Sequence, residues 1–160
     1  MRNRLMAAVS AMAATVAVTV LGGPGAASAA APAPEADVAY HGRVVLSDGV
    51  LGVWLVPENS GPAALPAATV RLTLSADLGR AEGLAEGCAR IGHRSVVCET
   101  GALPARGAGR HVAVVLPLAV KAREVVVRID TAWNGGAVDR VPGNNEHTVL
   151  ALDTGDAYVF

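Results

Sequence analysis

The sequence predicts an all-β fold, an antiparallel β-sandwich of about seven or eight strands. Three observations carry that prediction. Apolar residues come in short segments that often alternate with polar ones, the period of a strand with one face in a core. Turn-forming clusters recur roughly every 8–12 residues. No segment behind the N-terminal region sustains a helical period, and a parallel α/β sheet needs crossover helices.

The chain opens with Met1-Arg2-Asn3-Arg4, a short basic stretch, then an apolar run from Leu5 to Leu21 broken only by Ser10 and Thr15. Gly22, Gly23, Pro24 and Gly25 end the run, and Ala27-Ser28-Ala29 follows, the small-x-small pattern that a signal peptidase cuts. Residues 1–29 therefore read as a secretory signal peptide, exported by the general route because no Arg-Arg pair is present. The run is slightly short of the ~20 residues of a bilayer span, and no membrane span is expected after cleavage. Residues 30–37, rich in Ala and Pro, read as a disordered spacer. The sandwich is expected over residues 38–153, with 154–160 as a polar tail.

Val38–Leu46 is the first strand and Val50–Val56 the second. Ser47-Asp48-Gly49 joins them, where Asp and Gly supply local hydrogen bonds and a free φ. Asn59-Ser60-Gly61-Pro62 breaks the chain. Thr69–Ser75 then alternates cleanly, with Val70, Leu72 and Leu74 on one face and Thr69, Arg71, Thr73 and Ser75 on the other. Asp77–Gly87 is irregular. Ala89–Ile91 and Ser95–Cys98 flank Gly92-His93 as a hairpin. A turn at Pro104–Gly109 leads to strands His111–Leu118 and Glu124–Trp133, then the tight turn Asn134-Gly135-Gly136 and a last strand Glu146–Leu152. Aromatic residues are only 3% of the chain, so Val, Leu and Ala must build the core, with Trp54 and Trp133 as its largest fillers. The second strand is apolar on both faces: Leu51, Val53 and Leu55 on one, Val50, Trp54 and Val56 on the other. That suits a strand covered on both sides or an interface.

Cleavage after Ala29 leaves 131 of the 160 residues, one domain's worth of chain. These carry 11 basic against 14 acidic residues, a net charge of −3, and Lys121 is the sole lysine. Without a basic cluster, nucleic acid and anionic membrane surfaces are not expected partners. Cys88 and Cys98 are the two cysteines. An exported pair of this kind is expected to oxidise to a disulfide, here closing the hairpin. No Cys-x-x-Cys is present, and His41, His93, His111 and His147 show no ligand spacing, so no metal or other cofactor is expected.

Catalytic signatures are missing from the sequence behind the signal. It has no Gly-x-Ser-x-Gly elbow, P-loop or His-Glu-x-x-His, and no catalytic residue is expected. One stretch is rich in oxygen ligands: Asp139-Arg140-Val141-Pro142-Gly143-Asn144-Asn145. Calcium takes such groups on a bent loop, but carboxylates are few here. Pro142-Gly143 sets a turn and the two asparagines suit local backbone bonds, so a structural loop is expected.

Four stretches together resemble the domain-of-unknown-function eleven family, the Ig-like β-sandwich repeats of bacterial secreted and surface proteins. They are Asn59-Ser60-Gly61-Pro62, similar to the family's Asn-x-Gly-Pro turn, and the alternating strand Ala68–Leu74 behind it. Gly87-Cys88 through Val97-Cys98, with Gly101, Leu103 and Gly107, follows the family's pattern of two cysteines and a Gly-x-Leu step. Asp139–Asn145 is similar to its Asp-rich turn ending in Asn-Asn. The order and spacing hold over residues 50–152, in a single copy. The resemblance implies an Ig-like sandwich at the cell surface and carries over no catalytic residue.

The expected function is that of a secreted, non-catalytic module, released or held at the cell envelope, that binds a protein or glycan through loops or an exposed sheet face. The alternative is an inhibitor of an extracellular hydrolase, presenting Arg106 from the loop Gly101–Gly109.

Overall fold

The computed structural model describes residues 32–80 and 83–160. The signal peptide expected over residues 1–29 lies outside the described residues. Among the described residues ten strands form: β1 (Val38–Ser47), β2 (Val50–Asn59), β3 (Thr69–Leu74), β4 (Cys88–Arg90), β5 (Ser95–Glu99), β6 (Gly107–Ala108), β7 (Val112–Pro117), β8 (Glu124–Trp133), β9 (His147–Leu152) and β10 (Ala157–Val159). One 3₁₀ turn, Pro142–Asn145, precedes β9.

The strands make two antiparallel sheets, and the all-β sandwich expected from the sequence is what forms. In the first sheet β10 pairs with β1 and β1 with β2, while β2 offers its far edge to β7 along Val50–Leu55 and to β6 at Glu58–Asn59. In the second sheet the order is β4-β5-β3-β8-β9. The core is the set of alternate residues that the two sheets turn toward each other. Val44, Leu46, Leu51, Val53, Val114 and Leu116 come from the first sheet, and Val70, Leu72, Val96, Val125, Val127 and Ile129 from the second. All of them are buried.

One side-chain bond fastens the two layers, and one disulfide ties an edge strand within the second sheet. Tyr40 is wholly buried and its hydroxyl lies 2.9 Å from the Thr131 hydroxyl, joining the first sheet to the second. Burial pushes the Tyr40 phenol up to about 12. Cys88 and Cys98 are directly opposed on β4 and β5 and joined by a disulfide, with a sequence separation of 10. Closing so short a loop stabilises the fold by about 2–3 kcal/mol in the chain-entropy model. The bond also suits an oxidising compartment.

The structure departs from the sequence reading at three places. The spacer expected over residues 30–37 is ordered at its end: Ala36 is buried, donates to the Val138 carbonyl at 3.1 Å, and Asp37 accepts Ser60 N–H at 2.8 Å. The expected tail 154–160 holds a further strand, β10, which pairs with Arg43–Val45 of β1. Phe160 extends it with reciprocal backbone bonds to Gly42 and rests its ring against His147, centroids 5.1 Å apart. Both segments are too short to show a period of their own, and only the tertiary partner makes them regular. The tryptophans, finally, are not core fillers. Trp133 would share the inward phase of Val127 and Ile129, but a register shift in the β3–β8 pairing sets it opposite Thr69, and it is 50% exposed. Trp54 lies on the outer face of β2, and Tyr40 heads the largest buried side chains.

Candidate functional site

The outer face of the first sheet carries a broad apolar surface around Trp54. The register builds it row by row. Arg43 sits beside Trp54, and Trp54 beside Ala113, with Val159 on the other flank of Arg43. The next row is Ala157, Val45, Gly52 and Val115, and the row after it Ser47, Val50 and Pro117. On the other side, one step beyond the Leu55–Val112 pair, His41, Val56 and His111 line up. Val115 is 59% exposed and Val159 81%, so the apolar rows meet solvent.

Trp54 is the centre of this face. Its indole lies down over Gly52, where an added Cβ would come within 2.7 Å of the ring. The Arg43 guanidinium rests 4.9 Å from the indole centroid, a cation–π contact. A shallow groove of about 230 Å³ runs beside the ring, bordered by His41, Arg43, Val56, His111 and Val159. His41 Nε2 stands 3.8 Å from Glu58 Oε2, both side chains well exposed. The sequence reading placed His41 and His111 on separate elements. The β1-β2-β7 register brings them to one face, and no spacing within the chain signals that.

The remaining candidate residues serve the fold. Asp139 Oδ2 accepts from Val38 N at 3.2 Å and from Asn145 Nδ2 at 3.0 Å, while Oδ1 accepts from Val141 N at 2.9 Å. Asn144 Nδ2 donates to Asp37 at 2.8 Å. The loop thus ties the start of β1 to the start of β9. Among the described residues no group of three or more His, Cys, Asp or Glu is arranged to hold a metal. Asp130, on the second sheet, is nearly buried and ion-paired to Arg71 at 2.6 Å. Arg106 is exposed on a left-handed backbone, φ 52°, with its N–H bonded to Gly61 O at 3.1 Å. That is a tight anchored turn, whereas a chain read by β-strand addition must be extended. A hollow of about 390 Å³ opens near Leu78, Leu84 and Pro117, with Arg90 at its rim. Arg90 is a structural clamp: it donates to the carbonyls of Leu78, Gly79, Gly92 and His93. No helix among the described residues is long and apolar enough to cross a membrane.

No protein-family profile and no curated protein sequence matches the chain. Among solved structures, β-glucosidase 3B from Thermotoga neapolitana, determined in complex with α-D-glucose, is similar at 19% identity and a TM-score of 0.44. The match covers 78% of this chain and 17% of that one.

Proposed function

We propose that this chain is an exported, non-catalytic recognition module at or outside the cell envelope, of the Ig-like kind that the resemblance implies. It binds a protein through the outer face of its first sheet. The observation that carries the reading is the contiguous apolar surface around Trp54. Single exposed apolar side chains are ordinary on any protein, whereas a set running across four paired strands marks an interaction surface. Trp and Arg at the centre of that surface are the residue types that dominate binding energy in protein interfaces. The engagement of Asp139 and Arg90 in structural bonds supports a role without chemistry.

The test places a photo-crosslinking side chain at position 115, on the face, or at position 126, on the outer side of the second sheet, in producing cells. A protein adduct from 115 and none from 126 is expected. No adduct from 115, or equal adducts from both, sinks the reading. So does turnover of a peptide, ester, glycoside or phosphate substrate by purified protein that a single change at a His, Asp or Glu abolishes.

A further inference from the structure

The rows of the first sheet's outer face have an order that no single strand displays. Along β7, Ala113 is followed by Val115 on the same face; along β10, Ala157 is followed by Val159. The register sets Ala113 in the row of Val159 and Val115 in the row of Ala157. Small and large therefore alternate in both directions at the two flanks of the face. Between them the Trp54 indole covers Gly52 and presents one flat surface.

Such a pattern is complementary to itself. Consider a two-fold axis lying in the plane of the face, across the strands, between the Arg43–Trp54–Ala113 row and the Val45–Gly52–Val115 row. It lays each row on the other row of a second molecule, and each strand on its own counterpart. Ala113 then meets Val115 of the second copy, and Val159 meets Ala157. The two indoles meet side by side. Arg43 meets Val45, so the arginines do not oppose each other. One row further out His41 meets Ser47 and His111 meets Pro117, and the charged Glu58 falls in the rim. A centre of apolar side chains around a Trp with a stacked Arg, inside a polar rim, suits a specific interface, and one patch used by both partners is what a two-fold dimer requires.

Three strands spaced ~4.8 Å apart fill four rows spaced ~6.8 Å apart, and β10 fills two of those rows. Each copy would bury about 460 Å², or about 900 Å² for the pair, the range of weak, reversible association.

We propose that the partner of this face is a second copy of the same chain, packed sheet to sheet through Arg43, Trp54, Ala113, Val115, Ala157 and Val159. The proposal rests on the recognition reading above and names the partner for that surface.

Sedimentation equilibrium of the purified exported chain, loaded from about 1 to about 300 μM, tests it. The mass is expected to rise from monomer toward dimer over that range. Val115→Lys and Val159→Asp each set a charge against an alanine of the second copy and are expected to raise the dissociation constant at least about tenfold, with an unchanged melting curve. The β10 substitution sits at an exposed edge, so it reads the interface even where a β7 variant folds poorly. With Trp133→Phe as background, Trp54 emission is expected to move to shorter wavelength with concentration, and not to do so in Val115→Lys. A monomer mass throughout overturns the proposal, as does a dimer that neither charge disturbs. A monomer that instead takes up soluble cell-surface polysaccharide also overturns it, in favour of a glycan. A monomeric pure chain that still crosslinks from position 115 to a different protein overturns the second copy alone and leaves the recognition reading standing.

Discussion

Asn59 closes β2, is 1% exposed, and holds three segments at once. Its Oδ1 accepts from Asp37 N at 3.2 Å and from Gly61 N at 3.0 Å. Its Nδ2 donates to Ala63 O at 2.8 Å and to Pro104 O at 3.2 Å. The N-terminal approach, the turn after β2 and the loop before β6 therefore share one amide. Asn59→Ala removes four hydrogen bonds, each worth about 1 kcal/mol net, and strands backbone groups beside the core. Some of those groups lie near the surface and regain water, so a loss of about 3 kcal/mol is expected, a large part of a total of roughly 5–15 kcal/mol. Asn59→Asp is the sharper probe. It keeps both acceptor bonds and turns both donor bonds into oxygen facing oxygen. Burial and two carbonyls then raise the introduced carboxyl's folded pKa above its unfolded value of about 3.9. A raised folded pKa means that stability is greatest below the unfolded pKa and is lost as pH rises through the folded one. Urea denaturation should therefore show Asn59→Asp far below wild type at pH 7 and recovering toward it near pH 4, while Asn59→Ala stays equally deficient at both. A loss under about 1 kcal/mol for Asn59→Ala, or an aspartate variant indifferent to pH, refutes the reasoning.

Three further outcomes are expected. Tyr40, raised from 10.0 to about 12 by burial, keeps its proton in the fold after the unfolded chain has lost it, so the stability it supports is full below pH 10 and falls away toward pH 12. Alkaline denaturation monitored by circular dichroism should lose that slope, on the order of 3 kcal/mol, in Tyr40→Phe, and an unchanged curve in the variant refutes the assignment. Replacing both Cys88 and Cys98 by Ser should lower stability by about 2–3 kcal/mol in urea, and thiol labelling of the exported protein without reductant should find neither cysteine free. Asp139→Ala strips acceptors from Val38 N, Val141 N and Asn145 Nδ2 and should cost about 2 kcal/mol, the same in millimolar calcium and in chelator. A calcium-dependent rise of several degrees in wild type that the variant abolishes overturns the structural assignment of that loop.

The strands were legible because period two is written directly into them. Val70, Leu72 and Leu74 alternate with Thr69, Arg71 and Thr73, and the first set is buried. The Cys88–Cys98 hairpin was equally plain, since Gly92-His93 sits midway between two short apolar runs. Short segments that borrow their order were not. Ala157–Val159 has too few residues to show a period, and becomes a strand only because β1 leaves Arg43–Val45 open to it. The phase of Trp133 was lost for a related reason: a register shift changes which face a residue takes, and no composition signal marks where two strands slip by one.

The candidate surface was half visible. The alternation in β2 put Val50, Trp54 and Val56 on one face and Leu51, Val53 and Leu55 on the other, and left the strand either covered on both sides or part of an interface, with Trp54 expected in the core. Nothing in a one-dimensional pattern could add Val159, which lies 116 positions beyond Arg43 and pairs with it. Ala113 and Val115 reach Trp54 and Gly52 the same way, through pairing set by the core residues on the other side of the sheet. The packing of Leu51, Val53, Val114 and Leu116 inward fixes the register, and the register then decides which outward residues become neighbours. A change that slips β7 by one residue would leave the composition untouched and turn Val115 into the core, exchanging the apolar patch for Val114 and Leu116. The face is therefore a consequence of the core, and substitutions that test it must leave the inward set alone, as Val115→Lys and Val159→Asp do.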